Sequence, residues 1–221
     1  MQLQRADLVD QVYNRIKDAI LSGELAPLAP LKQEELAETL GVSRQPISHA
    51  LMLLEHDGLL VDHGKKGKMV APVNPEQLLS LYQVRSAIDS LAARLAAERV
   101  TERDADELRA IIKMGRDAEA SLDVGGLARA DVLFHRLLYT LSGNPEISRA
   151  ADTSWTHMVR SMHRVLEDPS LYTHIWDEHS QIAEAIIQHE PDRAAKLSAH
   201  HAESSGQATY KRLTQPLGPS Q

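Results

Sequence analysis

The chain contains no cysteine, so disulfides and thiolate-held metals are excluded and nothing marks an oxidising compartment. No apolar run approaches the ~20 residues that a membrane-spanning helix needs. The opening stretch, "MQLQRADLVDQVYNRIKDAI", carries charges throughout and reads as an amphipathic helix rather than a signal peptide. A soluble, cytoplasmic protein without a membrane partner is the expectation. Net positive charge is missing too. At a formal −7, repulsion from phosphate disfavours nonspecific coating of nucleic acid, so any DNA contact has to be concentrated locally. There is no internal repeat and no low-complexity tract.

What is present is an ordinary globular composition, 43% hydrophobic and 25% charged, over 221 residues, enough for one large domain or two modest ones. Histidine is the oddity. Of 11 in all, His49, His56 and His63 lie early and the other eight follow residue 130.

Apolar residues recur at helical spacing from Leu8 to Leu21, and "SGELAP" then stops the helix with Gly and Pro. "KQEELAETLG" is a short second helix ending at Gly41. "VSRQPISHALMLLEHDG" is a third, with Ser43 as N-cap and Gly58 as C-cap. Helix, tight Gly turn, helix is the helix-turn-helix pattern. "LLVDHGKKGKMVAPV" follows as two short apolar runs around a turn rich in Gly and Lys, which is the pattern of a wing.

"APVNPEQ" carries two prolines and an Asn and marks an interdomain linker, with boundaries placed at 73–77. Beyond it the periodicity predicts helices near 75–99, 102–120, 124–142, 145–167, 171–189 and 192–212. Thr101 with Asp104, and Asp123, serve as N-caps. The expected organisation is a winged helix-turn-helix over 1–72 and an all-α bundle over 78–212. Residues 213–221 form a tail expected to be disordered. The fold class is therefore mostly α.

In a winged helix-turn-helix the second helix of the motif enters the major groove by its N-terminal end. The side chains placed to meet DNA are Ser43, Arg44, Gln45, Ser48 and His49. Arg suits guanine bidentately and Gln suits adenine, while Ser and the helix terminus suit phosphate. Lys65, Lys66 and Lys68 at the wing would add backbone anchors. Without further support the same residues also read as a helix bridge and a solvated loop.

"LGVSRQPISHALMLLEHDGLL" and "GKKGKMV" resemble the N-terminal domain of the GntR family of bacterial transcriptional regulators. Ser43, Arg44, Pro46, Ala50, Leu51, Leu54, Gly58, Leu59, Gly64, Gly67 and Val70 fall on that family's pattern, over roughly residues 8–72. The chain departs from the pattern in three places. Leu28 stands where Gly is usual before the second helix, Ser48 and His49 stand where Arg-Glu is common, and Gln33, Glu34 and Glu35 occupy a stretch where some members carry a DNA-contacting Arg.

"DVLFH", residues 131–135, sets a carboxylate and an imidazole one turn apart on one helix face, within an apolar stripe. Such a pair can ligate one metal ion but does not complete a site. His179 in "DEHSQIAEAI" and His200 or His201 in "SAHHAESS" can join it. The "HEPD" turn between them allows an antiparallel hairpin that brings the two helices side by side. Taken singly, each of these residues reads equally as a cap, a surface group or a satisfied core group.

The same positions resemble the FCD effector-binding domain of the FadR-like GntR regulators, in the smaller six-helix version. In its metal-binding members an Asp-x-x-x-His helix and two later histidines hold a divalent ion. The resemblance implies Asp131, His135, His179 and His201 as ligands, His201 aligning better than His200. It also places "VRSAIDSLAARLAAE" as the domain's opening helix, with Arg85 as an effector contact and Asp89 where Glu is more usual. Three imidazoles and a carboxylate suit Zn, Ni or another late first-row ion.

Together these readings predict a ligand-responsive, homodimeric regulator of double-stranded operator DNA, a repressor whose bundle binds a divalent metal and a small organic acid. Two rival readings follow from the same residues. An open metal with three histidines can activate water in a hydrolase-like enzyme, although no supported general base accompanies it. Alternatively, the metal is itself the signal.

Overall fold

The computed structural model describes residues 4–64, 67–166 and 168–214. They form two compact units dividing between Val73 and Asn74. Lys65, Lys66 and residues 215–221 of the expected tail lie outside the described residues.

The first unit is built from α1 (Gln4–Leu21), β1 (Pro30–Leu31), α2 (Gln33–Leu40), α3 (Arg44–His56), β2 (Leu60–Asp62) and β3 (Lys68–Val70). Val12, Ile16 and Ile20 of α1 face Ile47, Leu51 and Leu54 of α3 in one core, closed by Leu59, Leu60 and Val70. The helical spacing of these residues reflects that burial. The sheet has three strands in the order β1-β3-β2, both pairs antiparallel. β1, two residues long, is the strand that the sequence did not announce. Its length is below what periodicity can register, and it exists through pairing with β3.

Local signals act mostly as expected, with corrections. Gly41 closes α2 at φ 65°, the left-handed conformation that Gly adopts at no steric cost. Ser43 and Asp123 occupy N-cap positions without forming a side-chain cap bond. Asp57, not Gly58, is the capping residue of α3, and Gly58 follows it in the left-handed region. Leu28 replaces the expected Gly in sequence but not in conformation. It sits at φ 68° and donates its N–H to the Val70 carbonyl at 2.9 Å.

The second unit comprises α4 (Pro75–Arg99), α5 (Glu102–Ser121), α6 (Val124–Leu141), α7 (Pro145–Val165), α8 (Tyr172–Ile187) and α9 (Pro191–Thr214), with one 3-10 turn at Pro169–Leu171. Residues 75–77, expected in the linker, are the first turn of α4. Asn74 accepts from the Gln77 N–H at 2.9 Å, and Pro75 has the preset φ of a first helical residue. Residues 213–214, expected in the tail, are the last turn of α9. Thr101 and Asp104 form a reciprocal capping box on α5.

Helix α4 is the axis of this unit and touches α6, α7, α8 and α9. Small residues allow the α4–α9 approach. Ala92, Ala93, Ala96 and Ala97 are fully buried, as are Ala194, Ser198 and Ala202. A Cβ on Gly206 would lie 2.6 Å from that of Tyr82. Helices α6, α8 and α9 are thereby held around one interior point.

Candidate metal centre and nucleic-acid interface

On α6, Asp131 and His135 project from one face, as i,i+4 spacing requires. Helix α8 brings His179 to them and α9 brings His201. One ligand atom from each of the four lies within 4.8 Å of the others. His179 Nε2 is 3.1 Å from His201 Nε2 and 3.6 Å from Asp131 Oδ1, and His135 Nε2 is 3.9 Å from the same oxygen. Tetrahedral bonds of about 2.0–2.1 Å to nitrogen put two ligand atoms roughly 3.3 Å apart, so modest inward adjustment would accommodate an ion. His201 faces inward at 2% exposure, whereas the His200 side chain is 69% exposed.

The electrostatics favour a cation acceptor over a proton store. Burial, reinforced by Arg85 and the neighbouring histidines, holds His135 well below the ordinary imidazole range. Burial likewise lowers His179, with His201 next in effect. Neutral imidazoles with free lone pairs are what a metal needs. Burial raises Asp131, against the pull of Arg85 and His201. Phe134 and Trp176 pack their rings on His179 at 4.4 and 4.9 Å between centroids and shield it from water.

Arg85 is buried beside the cluster. Its Nε donates to Asp89 Oδ2 at 2.8 Å, and its Nη2 donates to His135 Nε2 at 2.6 Å. Burial opposes its charge, but Asp89 and the surrounding acidic groups outweigh that and raise its pKa. Tyr139 donates its hydroxyl to Asp89 Oδ1 at 2.6 Å, completing a buried network.

Two of these partners escaped the sequence reading. Glu178 accepts from His201 Nδ1 at 2.8 Å, and the bond to His201 lowers its pKa although burial alone would raise it. Glu178 and Tyr139 contact residues 23 and 50 positions away, on neighbouring helices, so no local spacing could announce them.

The cluster opens onto a cavity of about 150 Å³. Arg85, Asp131, His201 and Glu178 line it at one end. Its wall includes a single face of α7, namely Trp155, Met158, Val159, Met162, Val165 and Leu166, at the i, i+3, i+4, i+7 spacing of one helix stripe.

In the first unit, Ser43, Arg44, Gln45 and His49 are exposed at the start of α3 and Ser48 is half-buried. Arg44 pairs with Glu34 of α2 at 2.6 Å, both largely exposed. Lys68 reaches Glu55 at 2.6 Å and Asp62 at 3.8 Å, so its ammonium is tied to the domain rather than free at the wing tip. Gly64 and Gly67 turn the wing at φ 62° and 93°.

Two family models match the chain. The FCD domain matches residues 80–204, and the bacterial regulatory proteins, gntR family, match residues 8–70. An uncharacterized HTH-type transcriptional regulator, YdhC, of Bacillus subtilis is 31% identical over 61% of this chain and 60% of its own length. A probable D-xylose utilization operon transcriptional repressor of Paenarthrobacter nicotinovorans is 26% identical over 90% and 88%. Among solved structures, McbR/YncC of E. coli superimposes with a TM-score of 0.80 at 23% identity, covering 94% of this chain and 99% of that one. These relatives are regulators, and no enzyme-like reading of the cluster is needed.

Proposed function

Since the chain belongs to the gntR family of bacterial regulatory proteins and carries an FCD domain, we propose that this DNA-binding transcriptional regulator is a cytoplasmic, homodimeric repressor whose second unit binds a divalent ion and a small organic acid. One observation carries the reading: four ligand atoms gathered within 4.8 Å beside a cavity that Arg85 also lines. Asp131, His135, His179 and His201 would hold the ion, which would accept a carboxylate oxygen by taking more than these four ligands. His135 Nδ1 and His179 Nδ1 are buried without a hydrogen-bond partner, and the polar contacts of both rings run through Nε2, the atoms that face the cluster.

DNA is read by the start of α3, with Arg44 first, Gln45 next, and Ser43, Ser48 and His49 beside them. The wing lysines Lys65 and Lys66 serve as phosphate anchors, whereas Lys68 is held by Glu55 and Asp62. Support for a homodimer comes from an apolar row on α4 in which Val84 and Leu91 are exposed, while Leu81, Ile88 and Leu95 are half-buried. Leu81, Val84, Ile88, Leu91 and Leu95 alternate at spacings of three and four, the pattern of a helix that pairs with another. Two copies would match an operator with inverted symmetry. Acid binding shifts DNA affinity only if the acid prefers one arrangement of the dimer.

The test is elemental mass spectrometry on untagged protein kept away from chelators, native and His201→Ala together. DNA affinity is then measured with and without added organic acids. Near-stoichiometric metal that is lost in the variant supports the reading, and its absence from both refutes the metal. DNA affinity that answers to metal with no acid present would instead make the ion itself the signal.

A further inference from the structure

The cavity is lopsided. Its charged groups, Arg85, Asp131, Glu178 and His201, gather at one end, and they already have partners among themselves or with Asp89. Ser204, also on the lining, is engaged by Glu178 and the His201 carbonyl. Among the described residues, the α7 wall offers aliphatic, thioether and indole surface from Trp155 to Leu166 and no hydroxyl or carboxylate. The remaining polar lining among the described residues is Tyr82 on α4, His174 on α8 and Ser205 and Thr209 on α9.

A ligand entering such a space meets charged partners at its head and polar ones along α8 and α9, but none among the described α7 residues that it faces. A polyol or a second carboxylate pressed on the α7 wall would be desolvated without compensation, whereas a hydrocarbon body gains from burial. The volume sets a further limit. A cavity of about 150 Å³ is of the order that encloses one benzene ring, and an acyl chain of a dozen carbons would have to extend out of it into solvent. Met158 and Met162 add polarisable, adaptable surface suited to a ring edge.

We infer that the effector is a compact hydrophobic monocarboxylate, an aromatic or short branched acid of benzoate size, and not a sugar acid, a polycarboxylate or a long-chain fatty acid. This rests on the reading of the cluster as the carboxylate anchor. It separates the chain's ligand from whatever a sugar-utilisation repressor senses, because specificity lies in α7 rather than in the anchor.

The experiment is calorimetric titration of full-length, zinc-loaded protein with benzoate, hexanoate, gluconate, citrate and laurate. Tryptophan fluorescence is followed in parallel, since Trp155 and Trp176, the chain's two tryptophans, both line the cavity. The same titrations are run on metal-stripped protein and on Met162→Gln and Val159→Thr, which keep side-chain size but place polar atoms on the wall. Benzoate or hexanoate binding at least tenfold tighter than gluconate, citrate and laurate is expected. A loss of tenfold or more is expected in Met162→Gln, with helicity and zinc content unchanged. Tighter binding of gluconate, citrate or laurate overturns the inference while leaving the metal anchor standing. Benzoate binding that survives metal removal undiminished supports the apolar specificity and removes the metal from it. Protein that takes up no zinc and binds none of the acids overturns both.

Discussion

Arg85 donates to His135 Nε2 across 2.6 Å, and that nitrogen is the one His135 would offer to a metal shared with Asp131. Guanidinium and metal ion therefore compete for one lone pair. Arg85 has to yield that bond when the ion binds, keeping Asp89 at 2.8 Å as its anchor. The freed Nη2 then stands beside the cavity, where an incoming carboxylate can accept from it.

Removing the guanidinium alone should be costly. Arg85→Met leaves Asp89, which is fully buried, with Tyr139 and, at 3.6 Å, His135 Nδ1 but no guanidinium, and a broken buried pair typically loses about 3–5 kcal/mol. Urea unfolding of Arg85→Met and of Arg85→Met with Asp89→Asn should show most of that loss recovered in the double variant. Chelator competition should show the double variant holding metal more tightly than the native chain, because His135 is released. Equal loss of stability in both variants would contradict the buried-pair account, and metal affinity no greater in the double variant would contradict the competition.

Glu178 orients the His201 ring through Nδ1 at 2.8 Å, so Glu178→Gln should lower metal affinity by about 10–100-fold without unfolding the bundle. His201→Ala should remove high-affinity binding, and His200→Ala, at an exposed position, should leave it unchanged. A metal titration with a fluorescent chelator separates the three. A large effect at His200 would reverse the assignment.

Gly115 is required by Trp176. A Cβ there would lie 2.1–2.3 Å from three atoms of the indole, and that ring packs edge-on against His179. Gly115→Ala should destabilise the second unit by about 1–3 kcal/mol, shift tryptophan emission and weaken metal binding together. Unaltered emission would mean that the contact relaxes elsewhere.

Leu28 holds a left-handed conformation while 57% exposed, so it carries backbone strain and buries little in return. Leu28→Gly should stabilise the first unit by about 1 kcal/mol, read as a raised midpoint in urea. A fall in stability would show that the Leu28 side chain contributes packing that outweighs the strain.

Arg44 shares its charge with Glu34 at 2.6 Å. With an operator selected from a randomised duplex pool, Arg44→Ala should weaken specific binding by about 1–3 kcal/mol and relax preference at one base position. Glu34→Gln should strengthen binding, since it frees the guanidinium and removes a negative charge near phosphate. Unchanged preference in Arg44→Ala would move the reading elsewhere along α3.

Most of the helices were legible because their signals are local. The capping box of Thr101 and Asp104 and the apolar spacing from Leu127 to Leu138 act within one or two turns, whereas the caps at Asn74 and Asn144 were not anticipated. The short strand β1 was not legible, since two residues acquire strand character only by pairing with β3.

The sequence by itself determined that Asp131 and His135 share a helix face, because four residues nearly complete a turn. It also determined the order of the helices and, in the second unit, their ends to within a residue or two. Only tertiary structure decided which of His200 and His201 turns inward, because neighbours on a helix lie about 100° apart and the docking of α9 on α4 selects between them. The same docking brought Glu178 to His201 and Arg85 to His135, and it set the apolar stripe of α7 along the cavity. Those relationships depend on the rotation and offset of one helix against another, which the period of a single helix does not carry.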